Sequence, residues 1–232
     1  MRLTLFAAAV VLVAVPFGLL LDQVVRDGPL TDVDTWAANH VHDWVRRSPG
    51  LVDLLQVVTF AGSPVFLTLA AGVVVVHTLR RRLWRLAVFV VATSLAGGLI
   101  DTAVKEAVDR ERPSLDAPVA TARGKSFPSG HAMSSTVVYG ALLLTMLPAV
   151  PRHRRRPLLL ATVALVAVIG ATRLALGVHY ITDVLGGFVL GLAWLAAATA
   201  AFSTWRVERG RPPVEEPAVE GVEPEAASDL GS

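Results

Sequence analysis

Six runs of about twenty mostly apolar residues, joined by short polar loops, limit what this chain can fold into. A helix of that length crosses the ~30 Å hydrocarbon core of a bilayer, where every backbone polar group has to be satisfied within the protein. The runs lie at Leu3–Leu21, Leu54–Leu79, Leu83–Val104, His131–Val150, Pro157–Leu176 and Asp183–Trp205. At 53% hydrophobic over 232 residues the chain is too apolar for an ordinary soluble domain. The expected fold class is therefore all-α, a polytopic membrane protein of six transmembrane helices. The first run has a rival reading as a cleaved signal peptide. Arg2 is its only basic flank and no small-residue cleavage site follows, so an uncleaved helix is expected. A net charge of +2 gives no reason to expect nucleic acid, and the absence of cysteine excludes disulfides and thiolate metal sites.

Asp22 to Asp53 is polar but carries Val33, Trp36, Ala37, Val41, Trp44 and Val45 at helical spacing, with Thr31 or Asp32 as a cap. This predicts a short helix in the first outer loop, lying in the membrane interface that suits tryptophan. His40 and His42 are two apart and do not share a helical face, so a solvated surface is expected there rather than a metal site. Gly62-Ser63-Pro64 is expected to kink the second span or mark its outer end, and His77 to lie at the interface. Residues 1–205 are expected to form one membrane domain. Residues 206–232, rich in Pro, Glu, Gly and Ala, are expected to be a disordered cytoplasmic tail. Arginine-rich short loops stay in the cytoplasm. Arg80, Arg81, Arg82 and Arg85 follow the second span, Arg152, Arg154, Arg155 and Arg156 the fourth, and Arg206, Arg209 and Arg211 the sixth. With Arg2 at the start, six spans put all of these on one side. The expectation is a plasma-membrane protein with both termini cytoplasmic.

Parity then gathers distant residues. The third span runs outward to Lys105, the fourth starts outside at His131, the fifth carries Arg173 outward and the sixth begins at Asp183. Lys105, Arg112, Ser129, His131, Arg173, His179 and Asp183 thus share the outer face. Pro128-Ser129-Gly130-His131 reads as a loop entering a helix: Ser129 is a good N-cap and Gly130 lets the backbone approach a ligand. The free N–H groups of a helix start favour a phosphate, and His131 beside it could move a proton near neutral pH. Each cluster also has a local explanation. Lys105 and Arg112 could be snorkelling loop-end cations, with Asp101 the helical partner of Lys105. Arg173 could face the negative end of its own helix, and His179 with Asp183 could form a cap. Charges within spans cost about 2.5–3.5 kcal/mol each, however, and cations gathered without acidic partners call for an anion.

Lys105-x6-Arg112-Pro113, Pro128-Ser129-Gly130-His131 and Arg173-x5-His179-x3-Asp183 together resemble the three-part signature of the type 2 phosphatidic acid phosphatase superfamily. That superfamily holds metal-independent lipid phosphate phosphatases and, more distantly, vanadium haloperoxidases. The spacings agree within every block (105–113, 128–131, 172–183), and the one departure is Thr172, where the family usually has serine. The resemblance implies that His179 is the nucleophile, forming a phosphohistidine, with Asp183 on its other ring nitrogen. It implies that His131 protonates the leaving oxygen and then activates water. Lys105, Arg112 and Arg173, with the Ser129 hydroxyl and Gly130 N–H, would bind the phosphate, arginine being suited to grip two of its oxygens. Carboxylates are sparse near the blocks, so no metal site is expected, and no cofactor is called for. The expected function is metal-independent hydrolysis of a lipid phosphate or diphosphate of the prenyl diphosphate, phosphatidate or phosphatidylglycerophosphate type at the outer membrane face. Transfer to an acceptor other than water shares the covalent step and stays open. The rival from another class is an anion transporter, whose sites typically lie nearer the midplane.

Overall fold

The computed structural model describes the backbone of residues 2–116 and 118–208, and the side chains of residues 14–203 other than 117. Over these residues the chain forms eight α-helices: α1 (Arg2–Val25), α2 (Pro29–Val45), α3 (Pro49–Phe60), α4 (Pro64–Arg80), α5 (Trp84–Val108), α6 (Gly130–Met146), α7 (Arg152–Ala175) and α8 (Ile181–Glu208). A 3-10 turn, Leu147–Ala149, extends α6. Among the described residues five stretches are long and apolar enough to cross a membrane: Pro49–Arg80, Trp84–Val108, Gly130–Ala149, Arg152–Ala175 and Ile181–Ser203. The N-terminal helix adds a shorter apolar stretch, Ala14–Val25. Val57, Val73 and Leu99 are 70–72% exposed. So much bare aliphatic surface is foreign to a protein in water and ordinary in lipid. The chain is a multi-pass integral membrane protein. The expected tail, residues 206–232, lies outside the described residues beyond Glu208.

The bundle is organised around α6, which packs most closely against α8 and α5 and also touches α4 and α7. The α6–α8 contact is close because α8 presents Gly187 and Gly191, four apart, to the α6 backbone. A Cβ built on Gly187 would stand 2.7 Å from the Ser129 carbonyl oxygen and 3.1 Å from Met133 N. Small residues at this spacing are what lets transmembrane helices meet backbone to backbone. Away from that contact, Phe89 and Val90 of α5, Ala141 of α6 and Ala198 of α8 form a buried cluster, closed by a T-shaped pair of Phe89 and Phe202 rings 5.1 Å apart. Trp194 Nε1 donates to the Thr93 carbonyl at 2.8 Å, which ties α8 to α5.

The second span is broken where Gly62-Ser63-Pro64 was expected to bend it. It starts earlier than its apolar run, at Pro49, and α3 and α4 meet at residues 61–63. Ser63 caps α4 by accepting from Phe66 N at 3.3 Å, and the freed Ala61 carbonyl accepts from Tyr139 Oη of α6 at 2.8 Å. The break is tolerated at this depth because neighbouring side chains satisfy its backbone. The arginines 152–156, expected as loop, form the first turns of α7, and Pro157 sits inside that helix.

The first-loop helix differs from expectation in register and in face. It starts at Pro29 behind Gly28, with Thr31 and Asp32 inside the first turn. The apolar stripe is divided: Ala37 and Val45 are buried, while Val33, Trp36 and Trp44 are 49–67% exposed. The side turned inward carries Asp34, Ala37, Ala38, His42 and Val45. His42 is therefore buried, at 2% exposure, where a solvated surface was expected; its Nε2 lies 3.2 Å from the Asp116 carbonyl oxygen. His40 is exposed and stacks on Trp36. Bulky aromatics dominate an apolar count, but here the small residues allow close packing on α7 and α8, and the tryptophans face away from the protein.

Candidate active site

All three sequence blocks arrive at one end of the bundle, opposite the arginine-rich ends of α4 and α7. The third block is shaped by how α7 stops. Gly177 takes a left-handed conformation (φ +71°), its N–H bonds the Leu174 carbonyl at 2.9 Å, and Val178 N bonds the Arg173 carbonyl at 3.1 Å. This double closure ends a helix sharply and favours glycine. It leaves Arg173 in the last turn of α7 and sends His179 into the site, just before α8.

His179 is 2% exposed and Asp183 wholly buried. His179 Nδ1 lies 3.3 Å from Asp183 Oδ2, a long contact of the kind that tightens when substrate binds. The same Oδ2 accepts from Tyr180 N at 2.8 Å and from Ser126 Oγ. Asp183 reaches back to the N–H before its helix, so the capping alternative is realised together with the His–Asp pair. On the other ring nitrogen, Arg112 Nη1 stands 3.0 Å from His179 Nε2. A donor there and an acceptor at Nδ1 fit the neutral tautomer with its proton on Nδ1. Burial pushes the His179 pKa down to about 4, against the opposing pull of Asp183.

Arg112 is engaged through all five N–H groups. Besides His179, it donates to the carbonyls of Gly124 (2.9 Å), Val178 (2.7 Å), Arg123 (3.1 Å) and Lys125 (3.1 Å). One guanidinium thereby folds the 109–129 loop over the third block. Burial lowers the Arg112 pKa, with Asp183 and Asp101 opposing. Lys105, in the last turn of α5, donates to Asp101 Oδ1 at 2.6 Å and to the Pro128 carbonyl at 2.7 Å. Its helical partner is thus Asp101, and it also anchors the second block.

Ser129 occupies the N-cap position of α6, yet its hydroxyl makes no cap bond; its N–H donates to the Asp183 carbonyl at 2.9 Å instead. Gly130 passes so close to α5 that a Cβ would lie 3.2 Å from Asp101 Oδ2 and 3.3 Å from Lys105 Nζ. His131, half-buried, lies within the field of Arg173, His179, Arg112 and Lys105, with its Cδ2 against Gly62 of the α3–α4 break. Arg173 Nη1 donates to Thr59 Oγ1 of α3 at 2.9 Å. Thr172, the family departure, spends its hydroxyl proton on the Ile169 carbonyl of its own helix at 2.6 Å. Ser129 Oγ and Arg173 Nε are buried without a hydrogen-bond partner among the described residues.

The structure therefore brings His131, His179, Asp183, Lys105, Arg112, Ser129, Gly130 and Arg173 to one place. It also recruits Asp34, Thr59, Arg110, Ser126 and Thr182, none of which the sequence singles out. A stripe read from small residues, with Asp34, Ala37, Ala38, His42 and Val45 at helical spacing, would have pointed to Asp34. Arg110 had only its nearness to Arg112 to mark it.

The profile of the PAP2 superfamily matches residues 82–206. A phosphatidylglycerophosphatase B from Bacillus subtilis is 42% identical over 97 residues, 40% of this chain and 47% of the relative. A decaprenylphosphoryl-5-phosphoribose phosphatase from Mycolicibacterium smegmatis is 35% identical over 125 residues, 53% of this chain and 62% of the relative. A lipid A 1-phosphatase from Rhizobium etli is 31% identical over 121 residues, 48% of each chain. The chain spans about half the length of the curated relatives it matches. The fold is that of the crystal structure of a transmembrane PAP2-type phosphatidylglycerolphosphate phosphatase from Bacillus subtilis: TM-score 0.74 at 24% identity, over 85% of this chain and 98% of the other.

Proposed function

Since the chain belongs to the PAP2 superfamily, we propose that it hydrolyses a lipid phosphate or diphosphate at the outer membrane face, without a metal ion, through a phosphohistidine on His179. The observation that carries this reading is two buried groups without a hydrogen-bond partner among the described residues, Ser129 Oγ two residues before His131 and Arg173 Nε on the residue six before His179. A buried polar group left unsatisfied costs about 1–3 kcal/mol, and a phosphoryl group offers acceptors to both. The three relatives named above are phosphatases named for different lipid-bearing phosphates, which supports the phosphate chemistry and leaves the lipid open.

In this reading Nε2 of neutral His179 attacks phosphorus. The P–O bond to the leaving group, the lipid alcohol of a monophosphate or the lipid monophosphate of a diphosphate, breaks as His131 gives its proton to the leaving oxygen. Asp183 holds the Nδ1–H and offsets the positive charge on the phosphorylated ring, as the acid of a Ser-His-Asp triad does. His131 then takes a proton from water, whose oxygen attacks phosphorus; the P–N bond breaks, phosphate leaves and His179 returns neutral. Lys105, Arg112, Arg173, Ser129 and the Gly130 N–H bind the phosphoryl oxygens, three cations supplying the charge stabilisation that phosphoryl transfer needs. Arg112 exchanges some of its present partners, the contact on Nε2 included, when the phosphoryl group enters.

The orientation follows the arginines, with α1 as a sixth span. Its 24 helical residues reach about 36 Å, enough for the hydrocarbon core. Both termini are then cytoplasmic, and α2 lies in the outer interface with Trp36 and Trp44 toward the headgroups. An apolar groove of about 330 Å³ between α4, α5 and α6 starts at Pro64 and Ser134 and descends past Ala71 and Val75, a wall suited to the hydrocarbon of an amphiphile.

The test is a panel of phosphatidate, phosphatidylglycerophosphate and a prenyl diphosphate offered to the purified protein in detergent with EDTA. Released phosphate and lipid product are both followed. Phosphate release in EDTA supports the reading. Its absence from every substrate, or loss on chelation, overturns it, and a phosphorylated acceptor in place of free phosphate would identify a transferase.

A further inference from the structure

A buried carboxylate and a partly buried guanidinium stand behind the His–Asp pair. Arg110, an unassigned position of the first block, donates through Nη1 to Asp183 Oδ1 and to Thr182 Oγ1, both at 2.7 Å. Through Nη2 it donates to Asp34 Oδ2 at 2.8 Å. Asp34, from α2, also accepts from Thr182 N at 3.0 Å, in the first turn of α8, and from the Thr182 hydroxyl. The guanidinium lies 4.2 Å over the Tyr180 ring. Asp34 is 1% exposed and the Arg110 side chain 12%. One guanidinium thus lies between two buried carboxylates, one on α2 and one on α8, four residues beyond His179.

Buried carboxylates need partners, and two facing each other without a cation would not both stay ionised. Burial works against the charge of Arg110, yet Asp183 and Asp34 outweigh it and hold its pKa above the ordinary value. With Oδ1 held by Arg110 and Oδ2 by His179, Ser126 and Tyr180, the Asp183 carboxylate cannot rotate. The direction of its bond to Nδ1, and hence the aim of Nε2, is fixed. Building on the phosphohistidine reading, we infer that Arg110, anchored by Asp34 of α2, is a positioning residue that sets the orientation and charge of Asp183, so that the first outer loop takes part in catalysis through one carboxylate.

The groups facing His179 are Asp183 from α8, Arg112 from the 109–129 loop, Arg173 from α7 and His131 from α6, with Arg110 and Asp34 acting through Asp183. Removing the Arg110 charge leaves the field of Asp183 on the imidazole less offset. Protonated His179 is then favoured, and the acid limb of kcat/KM moves to higher pH.

The experiment compares the full-length wild type with R110Q, R110K and D34N, on a short-chain phosphatidate in mixed micelles, from pH 4 to 8. For R110Q, kcat falls roughly ten- to a hundredfold, the usual cost of a misaimed catalytic group. KM stays within about threefold, and the acid limb rises by about half a pH unit or more. R110K, which keeps the charge, brings the limb back toward wild type. D34N lowers kcat in the same direction and adds little on top of R110Q, because the two share one path. A folded R110Q with unchanged kcat and limb overturns the inference. So does a rise in KM at constant kcat, which would put Arg110 among the substrate-binding groups. If R110Q does not fold, D34N is read by the same criteria, and wild-type kcat and limb in D34N overturn the inference. A wild type that releases phosphate while these variants behave like it sinks only this inference; a wild type inactive on the whole panel sinks the phosphatase reading and this one together.

Discussion

His179 is held from both sides, by Asp183 at Nδ1 and Arg112 at Nε2, and its ring is almost wholly buried. Because burial keeps its pKa near 4, the ring is neutral, with Nε2 unprotonated, throughout the physiological range. The sign of the resulting stability effect is fixed. Above about pH 6.5 the ring is neutral in folded and unfolded chains alike. Between there and pH 4 the unfolded chain binds a proton that the folded one refuses, so stability falls as pH falls, and the loss ends below the folded value. Thermal midpoints in detergent should therefore drop more steeply from pH 6.5 to 4 for the wild type than for His179→Asn; parallel curves would mean that the imidazole titrates normally. Kinetically, the limb of kcat/KM owed to His179 belongs near pH 4. His131 answers to a different measurement. His131→Ala should lose about 10²–10⁴-fold in the single-turnover rate of phosphoenzyme formation on an alkyl phosphate, the size of general acid–base effects, and much less in that step on a nitrophenyl phosphate whose leaving group needs no proton. Equal losses in that step on both would remove it from the role of acid.

Between residue and molecule stand the contacts that carry α6, α7 and α8 to one point. Gly187 of α8 comes close to backbone there, since a Cβ on it would stand 2.7 Å from the backbone oxygen of Ser129, and backbone cannot swing aside as a side chain can. Gly187→Ala should push α8 from α6 at the level where Ser129 N bonds the Asp183 carbonyl. The expected cost is about 1–3 kcal/mol from overpacking, read as a lower thermal midpoint together with lost activity. Gly18→Ala, where a Cβ meets nothing among the described residues, is the control that should keep activity and not lower the midpoint. The same elements show what could be read from sequence. A lysine, two arginines and two histidines beside apolar runs have few reasons to be there, so their positions stood out before any coordinates. The kink at Gly62-Ser63-Pro64 was legible because proline and glycine act locally on the backbone. Asp34 was not, because it is one of several acids in a polar loop, and its burial comes from α7 and α8 arriving more than a hundred residues later in the chain. The divided face of α2 was hidden for a related reason. Hydrophobicity says that Trp36 and Trp44 leave water, but it does not say whether they enter protein or lipid.

For the whole molecule, one polarity organises everything: the site at one end of the bundle and the arginine clusters at the other. The helices alternate in direction, so Lys105, Gly130, Arg173 and Ile181 lie at helix ends on the site side, while Arg80 and Arg152 lie at ends on the far side. If arginine-rich segments stay in the cytoplasm, the site serves lipids of the outer leaflet, and substrate has to be presented there. The chain lends itself to the measurement because it contains no cysteine, so single cysteines can be placed without removing any. Ser114, exposed in the loop over the site, and His153, exposed at the start of α7, report the two ends. In intact cells a membrane-impermeant maleimide should label Ser114→Cys, and it should reach His153→Cys only after permeabilisation. The reverse pattern would turn the bundle over. The chemistry at His179 could then stand unchanged, but the phosphate would be released into the cytoplasm and the substrate drawn from the inner leaflet, which separates the question of what the site does from that of which lipid pool it meets.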